Sequence, residues 1–318
     1  MDLSIVIVNW NTREMLRDCL TSVFDGLGAL QTEVWVVDNA SADGSAEMVE
    51  TAFPQVRMIV NDTNRGFAAA NNQALALAQG RHVLLLNSDT VILGSVLSDS
   101  VAWLDAHPEV GVMGCRVLNA DGSLQPTGSG FPSLLNLSLQ ATGLTRLPGQ
   151  VFDRYRMERW DRRDTRTVDV VSGCYMLVRK TAMDEVGLLD EQFFFYGEET
   201  DWCRRYADAG WGLVLAPVGE IIHLGGGSVR TLKHGRDVLL TAGTVRLHHK
   251  HFGLLGGLAC LSLLAAFNAS RAVIWTLIGL FASGEPRARG AHFRAVTADL
   301  AQAWPTADTA KTATTAKG

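Results

Sequence analysis

Three short stretches of this chain gather carboxylates, amides and a histidine in patterns that can do chemistry. Leu84-Leu85-Leu86-Asn87-Ser88-Asp89-Thr90 sets a carboxylate at the end of an apolar run. That placement suits a hard divalent cation, Mg²⁺ or Mn²⁺, which takes one or two protein carboxylates and completes its shell with phosphate oxygens and water. Asp89 reads equally well as the cap of a following helix. Ile221-Ile222-His223-Leu224 ends a second apolar run in a histidine, just before Gly225-Gly226-Gly227-Ser228. A neutral imidazole there can add a ligand if it converges on Asp89, and otherwise it is a structural histidine. The third stretch, Phe193 to Trp202, is an aromatic run followed by Glu198, Glu199 and Asp201. Low-dielectric surroundings and mutual repulsion raise a carboxyl pKa, which makes a better general base near neutral pH. An acidic first helical turn is the competing reading, and Asp201 fits it well.

Elements that could position these residues follow from the hydrophobic pattern. Short β-branched runs at Leu3–Val8, Glu33–Val37, Val56–Val60, His82–Leu86 and Val110–Met113 alternate with helical stretches near Met15–Phe24, Ala46–Phe53, Phe67–Ala78 and Val96–Ala106. Nearly continuous apolar strands separated by helices predict βαβ units in a mostly parallel sheet covered by helices on both faces. In such α/β sheets ligands sit outside the carboxyl ends of the strands. Here those ends carry Asn9, Asp38-Asn39, Asn61-Asp62 and Asn87-Ser88-Asp89. The Asp121–Arg166 region shows no regular pattern and reads as a long loop. Strands are then expected at Val168–Val171, Tyr175–Val178, Gly212–Leu215 and Glu220–Ile222, with helices over Glu199–Ala209 and Arg236–His251.

Composition narrows the function classes. The 318 residues carry 28 Lys and Arg against 33 Asp and Glu, a formal charge of −5, so no basic excess exists to neutralise a nucleic acid. Five scattered cysteines with no C-x-x-C pair support neither a disulfide framework nor a thiolate zinc site. With no basic n-region before Leu3–Val8, the catalytic part is expected to fold in the cytoplasm. The first strand is followed by Asn9-Trp10-Asn11-Thr12 instead of G-x-G-x-x-G, and no P-loop occurs. An α/β nucleotidyltransferase and a non-catalytic nucleotide-sugar-binding module remain open on these residues alone.

Seven segments, taken in order, resemble glycosyltransferase family 2, the inverting GT-A enzymes, and within it the rhamnosyltransferase-like branch. They are SIVIVNWN at Ser4–Asn11, VVDNASADGS at Val36–Ser45, NRGFAAANNQAL at Asn64–Leu75, LLLNSDT at Leu84–Thr90, SGCYMLVRK at Ser172–Lys180, FFFYGEETDWCRR at Phe193–Arg205 and HLGGGS at His223–Ser228. The resemblance implies a GT-A fold in which Asp38 meets the nucleotide base beside Asn9, with Asn64, Arg65, Gly66 and Phe67 forming another wall. It implies that Asn87 and Asp89 stand where the family has its DXD motif, with Asp89 as metal ligand and His223 able to supply a second. Glu198-Glu199 falls on the family's acidic pair, so one of them is the expected base, while Gly173 and Asp201 lie in the expected acceptor and donor loops. The implied reaction moves a sugar, rhamnose from dTDP-rhamnose by branch resemblance, from a dTDP- or UDP-sugar to a saccharide or polyprenyl-diphosphate-linked acceptor in cell-surface polysaccharide assembly.

The expected organisation is a catalytic domain over 1–235, divided near 115 into nucleotide and acceptor halves. A helical membrane-associating region over 236–300 and a disordered tail over 301–318 follow. Leu254–Phe267 and Ala272–Ala282 are apolar, but Asn268 and Arg271 interrupt them, and each piece is shorter than the 20 or so residues of a bilayer span. Cationic residues flank both ends. In-plane or re-entrant helices at the cytoplasmic face of the bacterial inner membrane are therefore expected, with residues about 246–294 meeting the surface and Arg246–His251 as a cationic collar. A helical hairpin packed on the enzyme or on a homodimer partner is the alternative.

Overall fold

The computed structural model describes residues 1–225, 233–282 and 284–305, so Gly226–Ser228 of the glycine run and 306–318 of the expected tail lie outside the described residues. The chain divides into two compact units. One holds Met1–Phe131, Arg154–Phe194 and the described chain from Glu198 to Gly225. The other holds Pro132–Asp153, Phe195–Gly197 and the C-terminal helices. Pro132–Asp153 thus groups with those helices and not with the acceptor half.

In the first unit the order is β1 (Leu3–Asn9), α1 (Arg13–Gly26), β2 (Thr32–Asp38), α2 (Ser45–Ala52), β3 (Arg57–Val60), α3 (Phe67–Leu75), β4 (His82–Asn87), β5 (Thr90–Ile92), α4 (Val96–Ala106) and β6 (Val110–Leu118). The expected loop after Asp121 contains two helices of the second unit, α5 (Leu134–Thr142) and α6 (Gln150–Asp153). The first unit resumes with β7 (Arg166–Thr167), β8 (Tyr175–Arg179), α7 (Lys180–Val186), α8 (Glu198–Asp208) and β9 (Gly212–His223). The expected strand at Val168–Val171 is present only as an isolated bridge from Val170 to Ser129. The two short strands expected between Gly212 and Ile222 are one continuous strand.

The sheet runs β3-β2-β1-β4-β8-β6-β9-β5, with β7 on β9. Strands β3, β2, β1 and β4 are parallel, as the alternating pattern requires. Strand β8 enters antiparallel between β4 and β6, so the whole sheet is mixed. Alternation along the strands divides the core. Ile5, Ile7, Val36, Leu84 and Leu86 pack with α1, α2 and α4 on one face. Val6, Val37, Val83 and Leu85 pack with α3, α7 and α8 on the other. Both faces are therefore buried, which is why the strands read as unbroken apolar runs.

In the second unit α9 (Lys233–Phe281) breaks at Gly253, whose φ of 69° and ψ of −168° are non-helical, and α10 (Glu285–Asp299) follows. Helix continues through Asn268 and Arg271, the two polar residues that interrupt the apolar run. Asn268 Nδ2 donates back to Leu264 O at 2.8 Å, and Arg271 Nη2 donates to Ala141 O at 2.9 Å, closing an orphan carbonyl near the end of α5. By length and composition this helix is long and apolar enough to cross a membrane. The collar reading of Arg246–His251 needs correction at His248. Its side chain is buried, Nδ1 lies 2.9 Å from Thr244 O, and burial pushes its pKa down, so it carries no surface charge.

Candidate active site

Parallel registry brings the carboxyl ends of β1, β2 and β4 to one rim, since Asn9 pairs with Asp38 and Val8 with Asn87. A hydrogen-bonded chain runs along it. Asn9 Nδ2 donates to Asp38 Oδ1 (3.1 Å), Thr12 Oγ1 donates to Asn9 Oδ1 (2.6 Å), and the Thr12 and Ser88 hydroxyls meet at 2.9 Å. Ser41 N donates to Asp38 Oδ2 at 2.9 Å. Asp38 and Asn9 are buried and side by side, and their carboxylate and amide are held in a single orientation.

The Asn64–Phe67 loop is held by one of the expected strand-end residues, to which the sequence assigned no role of its own. Asn39 Nδ2 donates to Asn64 Oδ1 (2.9 Å) and Gly66 O (3.3 Å), while its Oδ1 accepts from Arg65 N (2.9 Å) and Asn61 Nδ2 (3.2 Å). Gly66 sits at φ +82°, where a Cβ would lie 2.5 Å from Phe194 O. Only glycine fits that close approach. Phe67 N then donates to Phe194 O at 2.9 Å, fastening this loop to the aromatic run that precedes the acidic pair. Arg65 is exposed.

Asp89 and His223 converge as expected. His223 Nε2 lies 3.2 Å from Asp89 Oδ1 and 3.3 Å from Asn87 Nδ2. On the far side of the ring, Nδ1 lies 2.6 Å from Gln125 Oε1. Gln125 Nε2 donates to Asn119 Oδ1 (2.8 Å) and His223 O (3.3 Å), so its Oε1 is the atom facing the ring. Nδ1 is therefore the donor, and in the neutral ring the Nε2 lone pair is aimed at the Asp89 carboxylate. With a neutral ring, two acceptors face each other at 3.2 Å and suit a shared cation; with a protonated ring the same contact is an ion pair. Two cis ligands of an octahedral Mg²⁺ stand about 3 Å apart. Among the described residues no group of three or more His, Cys, Asp or Glu could hold a metal by itself. A cation at Asp89 and His223 would thus need ligands from a substrate.

The acidic pair opens α8. Glu198 is buried, and burial, reinforced by the Glu199 charge, pushes its pKa well above the usual carboxylate range. Its Oε2 has no hydrogen-bond partner among the described residues. Glu199 is only half-buried. Burial raises the Cys174 thiol to about 11, and the charges of Asp89 and Glu199 both add to that shift. Cys174 belongs to the Ser172-Gly173-Cys174 turn, its carbonyl accepting from Asn87 N at 3.2 Å. Gly173 lies against Phe67, with 3.7 Å from a Cβ position to the ring. Asp201 is not with them: it is fully buried and accepts from Arg205 Nε at 2.9 Å. Arg205 also donates to Val186 O and Leu188 O, so Asp201 anchors α8 and has no access to a ligand.

Comparison with known proteins identifies the family. A model of "Glycosyl transferase family 2" matches residues 4–187. An N-acetylglucosaminyl-diphospho-decaprenol L-rhamnosyltransferase of Mycobacterium tuberculosis is 28% identical over 268 residues, covering 78% of this chain and 81% of the relative. The low-salt glycan biosynthesis hexosyltransferase Agl10 of Haloferax volcanii is 26% identical over 232 residues, covering 70% of this chain and 67% of its own length. In three dimensions the chain resembles the mannosyltransferase PcManGT from Pyrobaculum calidifontis, solved in complex with GDP-Man and Mn²⁺. The TM-score is 0.56 at 16% identity, over 94% of this chain and 86% of that one. With the rim, the loop and the acidic pair in place and more than half its length matched, the chain belongs to glycosyl transferase family 2.

Proposed function

We propose that this glycosyltransferase moves a sugar with inversion from a nucleoside diphosphate donor to a lipid-linked saccharide, using Glu199 as base. The donor sugar proposed is rhamnose, carried by dTDP or UDP, and the acceptor is a polyprenyl-diphosphate-linked saccharide at the cytoplasmic face of the inner membrane. The Mycobacterium tuberculosis relative, whose name carries both rhamnose and a diphospho-decaprenol acceptor, supports these choices. The exposed apolar residues of α9 support work at a membrane surface.

The observation that carries the reading is the convergence of His223 on Asp89 and Asn87, at 3.2 and 3.3 Å, on the rim that also holds Asp38 and Asn9. Asp38, its carboxylate fixed by Asn9 Nδ2 and Ser41 N, meets the nucleotide base in this reading, and the Asn64–Phe67 loop closes the opposite wall. Asp89 and His223 would hold Mg²⁺ or Mn²⁺, which supplies positive charge to the departing diphosphate. Glu198 is held towards its neutral acid by burial, so the base proposed is Glu199, the more exposed of the two. Glu199 takes the proton of the acceptor hydroxyl as that oxygen bonds to the anomeric carbon. The bond from that carbon to the diphosphate breaks on the opposite face, so configuration inverts, as in inverting glycoside hydrolysis with a sugar hydroxyl replacing water.

The test is Glu199→Gln. Turnover is expected to fall about 10²–10⁴-fold, the contribution of a placed base, while nucleotide affinity stays at the wild-type level. Near-normal turnover in that variant removes Glu199 from the role.

A further inference from the structure

We propose that the second unit carries a binding site for the diphosphate group of a long-chain lipid. The site is a cavity of about 680 Å³ lined by residues of α5, α9, α10 and the turn after α5. That volume is in the range of small-molecule sites. The inference deepens the lipid-linked acceptor proposed above and rests on it.

Three guanidinium groups line this cavity, from Arg146, Arg271 and Arg289, together with His292, Trp275 and Phe293, and among the described residues no carboxylate lines it. Two of the arginines are held in place before any ligand arrives. The Arg271 guanidinium lies 3.6 Å over the Phe267 ring while one of its N–H groups donates to Ala141 O. Arg289 stacks 4.7 Å over Trp275. Its pairing with Glu285, at 2.6 Å, involves a glutamate side chain that is 74% exposed, and such surface pairs are weak competitors for a ligand. His292 faces Asp237 at 2.8 Å. Planar guanidinium forks fixed by stacking are suited to paired phosphate oxygens.

The apolar side of the same cavity selects what the anion is attached to. Ile274 is a lining residue, and Leu277, Ile278 and Phe281 continue from it at helical spacing along α9. Phe281 is 92% exposed. A single apolar chain leaving the cavity along this face would cover about 10 Å of it. Free phosphate has no use for that track. A phospholipid phosphodiester carries one negative charge, whereas a lipid diphosphate offers more charge and more oxygens to three arginines.

The experiment uses the full chain and phosphatidylcholine vesicles containing either geranylgeranyl diphosphate or enough phosphatidylglycerol to match its surface charge. Flotation is expected to show at least about tenfold tighter binding to the diphosphate vesicles, the value of one charge-assisted hydrogen bond lost or gained. Arg271→Gln and Arg289→Gln should each lose about that factor on the diphosphate vesicles and change little on the phosphatidylglycerol ones. Arg271 also closes the end of α5, so Arg289→Gln, on the exposed side, guards against a folding effect. Equal binding to both vesicles, or wild-type selectivity in both variants, overturns the proposal. So does full displacement by inorganic diphosphate at matched concentration, which would make the free anion the ligand. Donor hydrolysis without acceptor, read in the same samples, reports on the transferase separately. Hydrolysis without diphosphate selectivity removes the cavity alone, and diphosphate selectivity without hydrolysis supports the cavity and removes the transferase.

Discussion

Replacing Gln125 separates orientation of the His223 ring from the ring itself. The 2.6 Å contact between Nδ1 and Gln125 Oε1 decides which nitrogen carries the proton and where Nε2 points. Outer partners of this kind are worth about 10–100-fold in metal affinity, or about 1.4–2.7 kcal/mol. Gln125→Leu conserves much of the volume and removes the acceptor. It also removes the donor to Asn119 and the His223 carbonyl, which costs stability on the order of 1–2 kcal/mol. Gln125→Glu shares that second loss but keeps an oxygen for Nδ1. Donor hydrolysis is followed against Mn²⁺ concentration well below the melting temperature. The leucine variant should need about 10–100 times more Mn²⁺ for half-maximal rate and regain its rate at saturation, while the glutamate variant stays near wild type. If both variants shift together, or neither does, the tautomer argument is wrong and His223 has no place in a metal site.

Three further outcomes follow from the same geometry. Burial and the Glu199 charge raise the Glu198 pKa, so this group's contribution to stability is complete below about pH 4.3, its unfolded value, and is lost as pH rises through the higher folded value. Glu198→Gln abolishes that titration, so its urea midpoint should gain on wild type from about pH 5 to pH 8, and parallel midpoints would refute the buried-acid reading. Asn39→Ala removes the bonds to Asn61, Asn64, Arg65 and Gly66, and should cost about 2–4 kcal/mol in urea unfolding and raise the donor KM. An unchanged donor KM would separate Asn39 from the nucleotide wall. Leu255 and Phe281 are 80% and 92% exposed. If they enter lipid at about 1.5–3 kcal/mol each, Leu255→Glu/Phe281→Glu should lower vesicle partition at least about a hundredfold. Retained partition places the membrane contact elsewhere.

Much of the site is legible in the linear order of residues because its positioning rule is local. Each βα unit announces itself as an apolar run ending in Asn or Asp, and parallel pairing carries those ends to one rim whatever lies between them. Asn9, Asp38, Asn87 and Asp89 are found this way. Asp201 was misplaced for the opposite reason. A carboxylate two residues beyond a glutamate pair reads as part of it, but helical geometry turns it inward to Arg205. Gln125 had no signal, because it lies in a stretch without periodicity and matters only through a contact 98 residues away.

The amino-acid order alone therefore settles the parallel half of the sheet, the identity of the rim residues and the family, since these depend on periodicity and on short motifs. Folding settles the rest. Antiparallel entry of β8, the grouping of Pro132–Asp153 with the C-terminal helices, the ring orientation of His223 and the contrast between buried Glu198 and half-buried Glu199 all arise from contacts between distant segments. Burial and hydrogen-bond partnership are properties of those contacts. Two adjacent glutamates, identical on paper, differ in exposure only because packing gives them different surroundings.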